Sequence, residues 1–304
     1  MGTHHFVAVP LIVREKTIGI ILADNLYSGA PITEDSVDLL TTFAGSAALA
    51  LENAGLYHEV QEKVTQLEHT QEELVQAERL AVIGQMSARI AHEIRNPLAT
   101  IGGFARSIQR NPDPDRVQSA AAIIRDEVIR LENLLRDTLS FTRPPKPVLA
   151  PAHLNTLIQE VKTMVEEDGA SDGIDWNIHP SPDIPEFQLD IAQMKEVCLN
   201  IFQNAVQATS SGGSIEVLAE YLGDQEEPSV QIEIRDTGEG IREKDLEQLF
   251  TPFFTTKTYG TGLGLVISKQ IVEDHGGKIV AESRESEGTT IRITLPIRSK
   301  AERS

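Results

Sequence analysis

The sequence predicts a multidomain chain of α and α+β type, and three observations carry that prediction. A helical pattern runs unbroken from roughly Val37 through Arg110. A second amphipathic helix follows the stop Asn111-Pro112-Asp113-Pro114-Asp115. From about Pro151 strand and helix patterns alternate, and three Gly-bearing turns punctuate them. Together these give a long coiled-coil helix, a helical hairpin that pairs into a dimeric four-helix bundle, and an α/β-sandwich domain. The organisation reads as residues 1–55, a strand-rich segment; 56–80, a coiled coil; 81–143, the hairpin; 144–150, a linker; 151–298, the sandwich; and 299–304, a tail.

Composition narrows the partners. Hydrophobic residues make up 40% and charged residues 24%, an ordinary soluble-globular balance. A net charge of −19 argues against nucleic acid and against anionic membrane surfaces. The single cysteine, Cys198, excludes an intrachain disulfide framework and lies in an apolar helix pattern, as a core thiol does. No apolar run reaches the ~18 residues of a membrane-spanning helix, and no signal peptide opens the sequence. The covered chain reads as cytoplasmic, with no direct membrane segment. Its abrupt start leaves open an upstream sensor or membrane region, and a receiver downstream is equally open.

In chain order, Phe6 to Val13 and Thr17 to Leu22 are Val- and Ile-rich strands around a polar turn, Arg14-Glu15-Lys16. Two antiparallel strands alone are marginal in water, so this segment reads as part of a truncated domain, as a remnant used for dimerisation, or as a small packing cap. Further on, Val60, Val64, Leu67, Gln71, Leu74, Glu78 and Ala81 alternate four and three apart, a coiled-coil seam with two polar flaws. Such a helix either transmits rotation or register shift, or serves as a passive dimer stalk; the residues fit both.

The hairpin's first helix places Ile83, Met86, Ile90, Ile94, Leu98 and Ile101 at apolar positions. At about 100° per residue, His92 falls about 200° from Ile90 and faces away from that seam. Glu93 stands where it can orient the imidazole or take its proton, and Asn96 shares the His92 face. Pro97 lacks an N–H and clashes with the Glu93 carbonyl, so the helix is expected to bend and loosen there. A zinc motif of the His-Glu-x-x-His type fails, because position 96 is Asn. A solvated helix face has the same appearance, so this stretch alone leaves its role open. The second helix carries Val117, Ile124, Val128, Leu131, Leu135 and Leu139 and ends at the stiff segment Arg143-Pro144-Pro145-Lys146-Pro147. Two long helices with one stripe each cannot bury both as a monomer, so a homodimer is expected.

In the last domain, Asn155 to Glu167 and Val266 to His275 read as helices. Strands are expected at Ile174–Ile178, Glu186–Leu189, Ser214–Tyr221, Val230–Arg235, Lys278–Ser283 and Thr289–Leu295, in one sheet with helices on one face. Glu196, Asn200 and Asn204 are four apart on one helix face, and amide oxygens suit Mg²⁺. Asp236-Thr237-Gly238-Glu239-Gly240 ends a strand, where a carboxylate can accept from an exocyclic amine. Gly260-Thr261-Gly262-Leu263-Gly264 opens a helix, where bare amides suit phosphates. Each block alone also fits an ordinary turn or helix face.

Their order is specific. Ala91-His92-Glu93-Ile94-Arg95-Asn96-Pro97-Leu98 resembles the phosphoacceptor box of sensor histidine kinases from two-component systems, most like the nitrogen-regulatory subgroup. Asn200 and Asn204, Asp236-x-Gly-x-Gly, Phe250-Thr-Pro-Phe253-Phe254-Thr-Thr-Lys257, Gly260-x-Gly-x-Gly264 and Glu287-Gly288-Thr289-Thr290 resemble the boxes of their GHKL-type ATP-binding domain. Val7-Ala8-Val9-Pro10-Leu11 and Gly19 to Asn25 look like the C-terminal half of a GAF sensor domain.

The resemblance implies an ATP-dependent protein-histidine kinase, with ATP and Mg²⁺ as cofactors. It implies that His92 accepts the γ-phosphoryl group, that Glu93 takes a proton, and that Asn96 orients a water for phosphatase activity. It implies that Asn204 is the metal ligand and that Asn200 lines the same pocket. Asp236 would bind the adenine amine, with Gly238 and Gly240 shaping its pocket. Gly260, Gly262, Leu263 and Gly264 would cradle phosphates, Lys257 would contact one, and Thr289 would reach the nucleotide through water. Residues 242 to 262 would form the ATP lid. The implied partners are a second copy and a response-regulator receiver domain. Two alternatives stand beside it: a GHKL-type ATPase, with Glu196 activating water, and an inactive dimeric scaffold.

Overall fold

The computed structural model describes residues 5–111, 113–142, 144–167, 169, 171–223, 227–257 and 260–297. Pro112, Arg143 and the tail 299–304, on which some of these expectations rest, lie outside the described residues. The chain divides into two compact units, residues 1–77 and 78–304. Helix α1 (Glu34–Arg110) contributes to both.

In the first unit, β1 (Phe6–Val13) pairs antiparallel with β2 (Lys16–Asp24). The turn is two residues long rather than the expected three. Arg14 and Glu15 take φ of 47° and 68°, and Lys16 already pairs with Val13. Two left-handed residues give a twist that matches the strands, so Lys16 is released to the ladder. Val9 and Leu11 bury one face of the hairpin against Ala44 and Ala48, whose small side chains admit close approach. Thr33 starts α1, its Oγ1 accepting from the Ser36 N–H at 3.3 Å.

The second unit begins with the rest of α1, whose helix continues through Pro97 without interruption. Helix α2 (Pro114–Thr142) starts on a proline, which suits the first helical turn. Next come β3 (Ala150–Ala152), α3 (Leu154–Glu167), β4 (Asp175–His179), β5 (Phe187–Leu189) and α4 (Ile191–Ala208). They are followed by β6 (Ser214–Leu222), β7 (Ser229–Asp236), α5 (Glu243–Leu246), α6 (Gly264–Asp274), β8 (Lys278–Arg284) and β9 (Gly288–Pro296).

The main sheet has the order β4-β6-β7-β9-β8, with β4 parallel to β6 and the other pairs antiparallel. The expectation of a single sheet is corrected here: β5 pairs antiparallel with β3 in a separate two-stranded sheet. Three residues around Pro151 carry no alternation that a sequence pattern could register.

One face of the sheet buries Ile215, Val217, Val230, Ile232 and Ile293 against Val197, Ile201, Phe202 and Val272 of α4 and α6. Trp176 adds a tilted ring contact to Phe202 at 5.3 Å. The opposite face carries a charged ladder in which Arg292 bridges Glu233 and Glu282 at 3.0 and 3.1 Å. Cys198 is fully buried, which pushes its thiol up to about 12, so it is inert as expected.

Asp190 anchors α4 to the linker. Its Oδ1 accepts from the Gln193 N–H at 3.1 Å and its Oδ2 from the Val148 N–H at 2.7 Å. The buried His275 ring accepts the Asp190 N–H through Nε2, and its Nδ1 meets the Ile271 carbonyl at 2.7 Å. Asp190→Ala removes a helix cap and a second buried acceptor, so chemical denaturation should show a loss of about 2 kcal/mol.

Helix α2 divides its apolar residues between two faces. Leu134 and Phe141 are buried, whereas Val128, Leu135 and Leu139 of the expected stripe are exposed.

Candidate functional site

A cavity of about 470 Å³ brings most of the expected residues together. Its walls include Asn200, Asn204, Asp236, Gly240, Lys257, Gly260, Gly262, Gly264 and Thr289, together with Glu93, Pro97 and Arg130 of the hairpin. His92, Asn96, Gly238 and Leu263 are not part of that lining.

Asp236, the last residue of β7, is buried with its Oδ1 fixed by two backbone N–H groups, Gly238 at 2.9 Å and Thr289 at 3.1 Å. Burial raises its pKa against the pull of those two bonds. Gly238 therefore acts through Asp236 rather than on the cavity. Gly240 cannot be replaced: it has φ +68°, and an added Cβ would lie 1.9 Å from the Arg284 carbonyl oxygen. Thr289 is held through Ser283, whose hydroxyl is 2.9 Å from Thr289 Oγ1.

Helix α4 presents its amides to α6 and the lid. Asn200 Nδ2 donates to Ser268 Oγ at 2.8 Å, and Asn204 Nδ2 donates to Asn200 Oδ1 at 3.3 Å. Lys257 Nζ closes the chain, donating to Asn204 Oδ1 at 2.5 Å and to Gln207 Oε1 at 2.6 Å. Loss of water around that ammonium lowers its pKa, while Glu239 acts in the opposite sense. Gln207 extends the Asn200–Asn204 row by three residues. That spacing is a signal present in the sequence, although Gln207 belongs to no recognised box.

Helix α6 begins with no side-chain cap, so its first N–H groups are bare where Gly262 and Gly264 line the cavity. An added Cβ on Gly264 would lie 2.5 Å from Asn200 Oδ1. Leu263 is fully buried in the core, and its N–H is taken by Thr261 Oγ1 at 3.2 Å. Phe253, at φ 63°, is an outlier for a bulky residue. Its N–H donates to the Gly262 carbonyl at 3.0 Å and its ring meets Phe141 edge-on at 6.4 Å.

The hairpin also reaches the glycine turn by a polar bond, Thr261 Oγ1 donating to Asp137 Oδ2 at 2.9 Å. Burial raises the Asp137 pKa, partly offset by that bond and by Arg136. The folded state therefore binds a proton more readily than the unfolded chain. This group's contribution improves as pH falls from neutral towards the ordinary carboxylate range. Asp137→Asn keeps an acceptor for Thr261 and removes the buried charge. Thermal unfolding at neutral pH should show a gain of about 1 kcal/mol that vanishes at acidic pH.

His92 is exposed on α1, with its Nδ1 at 3.3 Å from Asn96 Nδ2, as the four-residue spacing requires. Glu93 does not touch the imidazole; it takes Arg89 Nε at 3.0 Å, one helical turn back. Glu196 lines a separate small cavity with Phe141 and Pro145 and is not part of the lining of the larger one. Its pKa is raised by burial and by Asp137. No described helix is long and apolar enough to cross a membrane.

Three family models match the sequence. The GAF domain covers residues 1–51, the His Kinase A (phospho-acceptor) domain 82–146, and the "Histidine kinase-, DNA gyrase B-, and HSP90-like ATPase" 189–299. Sensor histidine kinase ZraS of Escherichia coli (strain K12) is 37% identical over 228 residues, 75% of this chain and 48% of that protein. Sporulation kinase A of Bacillus subtilis (strain 168) is 31% identical over 288 residues, 94% of this chain and 45% of that protein. The chain thus spans less than half the length of these relatives. A crystal structure of the histidine kinase ThkA in complex with the response regulator protein TrrA superposes with a TM-score of 0.63 at 34% identity. That match covers 75% of this chain and 66% of the other.

Proposed function

The chain belongs to the sensor histidine kinase family, and we propose that it is an ATP-dependent kinase that phosphorylates its own His92 and passes the phosphoryl group to an aspartate of a response-regulator receiver domain. The observation that carries this reading is the shared cavity, walled by Glu93 and Pro97 of the hairpin and by Asn204, Asp236, Gly262 and Thr289. A nucleotide held there has its phosphates next to the hairpin helix that bears the acceptor.

Asp236 takes the adenine amine through the oxygen not used by Gly238 and Thr289, and the bare turn of α6 takes phosphate oxygens. Asn204 suits Mg²⁺, because its Oδ1 already accepts a cation, the Lys257 ammonium. When bound, the ion neutralises charge on the phosphates. With the Asn96 amide oxygen turned to Nδ1, His92 is held with its proton there and its Nε2 lone pair free. Nε2 attacks the γ-phosphorus in line, the bond from phosphorus to the bridging oxygen breaks, and ADP leaves. The Nδ1 proton passes to Glu93 once that carboxylate releases Arg89. The transition state is loose, so positioning and charge neutralisation dominate the rate. Asn96 also serves to orient a water on a phosphorylated receiver, which gives phosphatase activity.

A homodimer is supported by the apolar residues that one chain leaves exposed, Val60, Val64, Leu67 and Leu74 on α1 and Val128, Leu135 and Leu139 on α2. The proposed use of ATP and of a receiver partner supports a cytoplasmic location for this part of the protein. The placement of Glu196 outside the nucleotide cavity speaks against the plain ATPase alternative.

The test is transfer. Chain loaded from γ-labelled ATP is freed of nucleotide and mixed with a purified receiver domain. Label should leave the chain and appear on the receiver, and should fail to do so when the receiver's acceptor aspartate is replaced by alanine. Label that never leaves the chain, tried against a panel of receivers, would contradict the transfer step.

A further inference from the structure

The lysine bound to the α4 amides is placed where a metal is expected. Lys257 Nζ sits 2.5 Å from Asn204 Oδ1 and 2.6 Å from Gln207 Oε1, both neutral amide oxygens. Glu239 acts on it through space and not as a partner at contact distance. Neutral acceptors replace the water lost by an ammonium but supply no countercharge. The same Asn204 oxygen is the one the nucleotide reading gives to Mg²⁺. One amide oxygen cannot serve a divalent ion and a lysine ammonium together without setting two cations side by side.

We propose that Lys257 is a stand-in cation in the nucleotide-free protein, and that Gln207 is a positioning residue that sets how much Mg²⁺ is needed to displace it. This inference rests on the nucleotide reading of the cavity. Mg²⁺ and ATP arrive as a complementary pair: the ion takes Asn204, and phosphate oxygens take the released ammonium. Gln207 belongs only to the resting arrangement. Its hydrogen bond holds the lysine back and so opposes metal entry.

The sign of its effect follows. If Gln207 were itself a metal ligand, removing its oxygen would raise the Mg²⁺ requirement. As a holder of the lysine, it lowers the requirement when removed. Gln207 is exposed, so the substitution leaves the core intact.

The experiment titrates Mg²⁺ against binding of a fluorescent ATP analogue to the whole chain. Gln207→Leu should lower the half-saturating Mg²⁺ concentration about fivefold, the loss of one partly exposed hydrogen bond to a charged group. In a Lys257→Met background, the same substitution should change nothing, because no stand-in cation remains. An unchanged or raised Mg²⁺ requirement in Gln207→Leu, or an equal drop in both backgrounds, would overturn the proposal. A wild-type chain that binds no analogue at any Mg²⁺ concentration would instead overturn the nucleotide reading, and this inference with it.

Discussion

Asp236→Asn should weaken ATP binding by about 30-fold, roughly 2 kcal/mol, while the domain stays folded. The asparagine oxygen can still accept from Gly238 and Thr289, the two N–H groups that Oδ1 holds at 2.9 and 3.1 Å. The backbone of the β7 end is therefore preserved. What changes is the other side of the group. An NH₂ donor now faces the position of the adenine amine, also a donor, in a buried site where water cannot intervene freely. Removing the charge also relieves a desolvated carboxylate whose pKa burial has raised. The variant should thus melt no lower than wild type while losing nucleotide, a separation that calorimetry of binding and thermal unfolding resolves. A variant that binds ATP like wild type would remove Asp236 from the site.

His92→Gln should abolish retained phosphoryl label altogether and leave nucleotide affinity unchanged. His92 is exposed and is not part of the cavity wall, so no nucleotide contact is lost with it. Glutamine keeps a polar group beside Asn96 and a good helix former in α1. The imidazole lone pair has no substitute among its neighbours: Glu93 is bound to Arg89, and Asn96 is an amide. Label persisting on this variant would move the acceptor elsewhere.

Much of this site was legible in the sequence because its signals are local. The exposure of His92 and its pairing with Asn96 follow from helical geometry over four residues. The row of Asn200 and Asn204, and the glycine turn at the start of α6, follow in the same way. Five of the expected strands reappear in the main sheet with no end shifted by more than one residue.

What escaped is long-range. Periodicity reports which face of a helix is apolar but not what meets it. The Leu134 and Phe141 face of α2, and the bond from Thr261 to Asp137, had no local trace. The Lys257 contacts join residues 53 and 50 positions apart. Glu93 shows the converse limit: its neighbour in sequence is His92, but a helix aims its side chain one turn back, to Arg89.

The measurement that reaches the central claim most directly is the chemical stability of the label that wild-type chain retains after incubation with γ-labelled ATP and Mg²⁺. A phosphoryl group on an imidazole nitrogen is a phosphoramidate, so the label should be lost in acid and survive alkali. Label that survives acid would mark a hydroxyl ester, and free phosphate with nothing retained would mark a plain ATPase; either would contradict His92 as the acceptor.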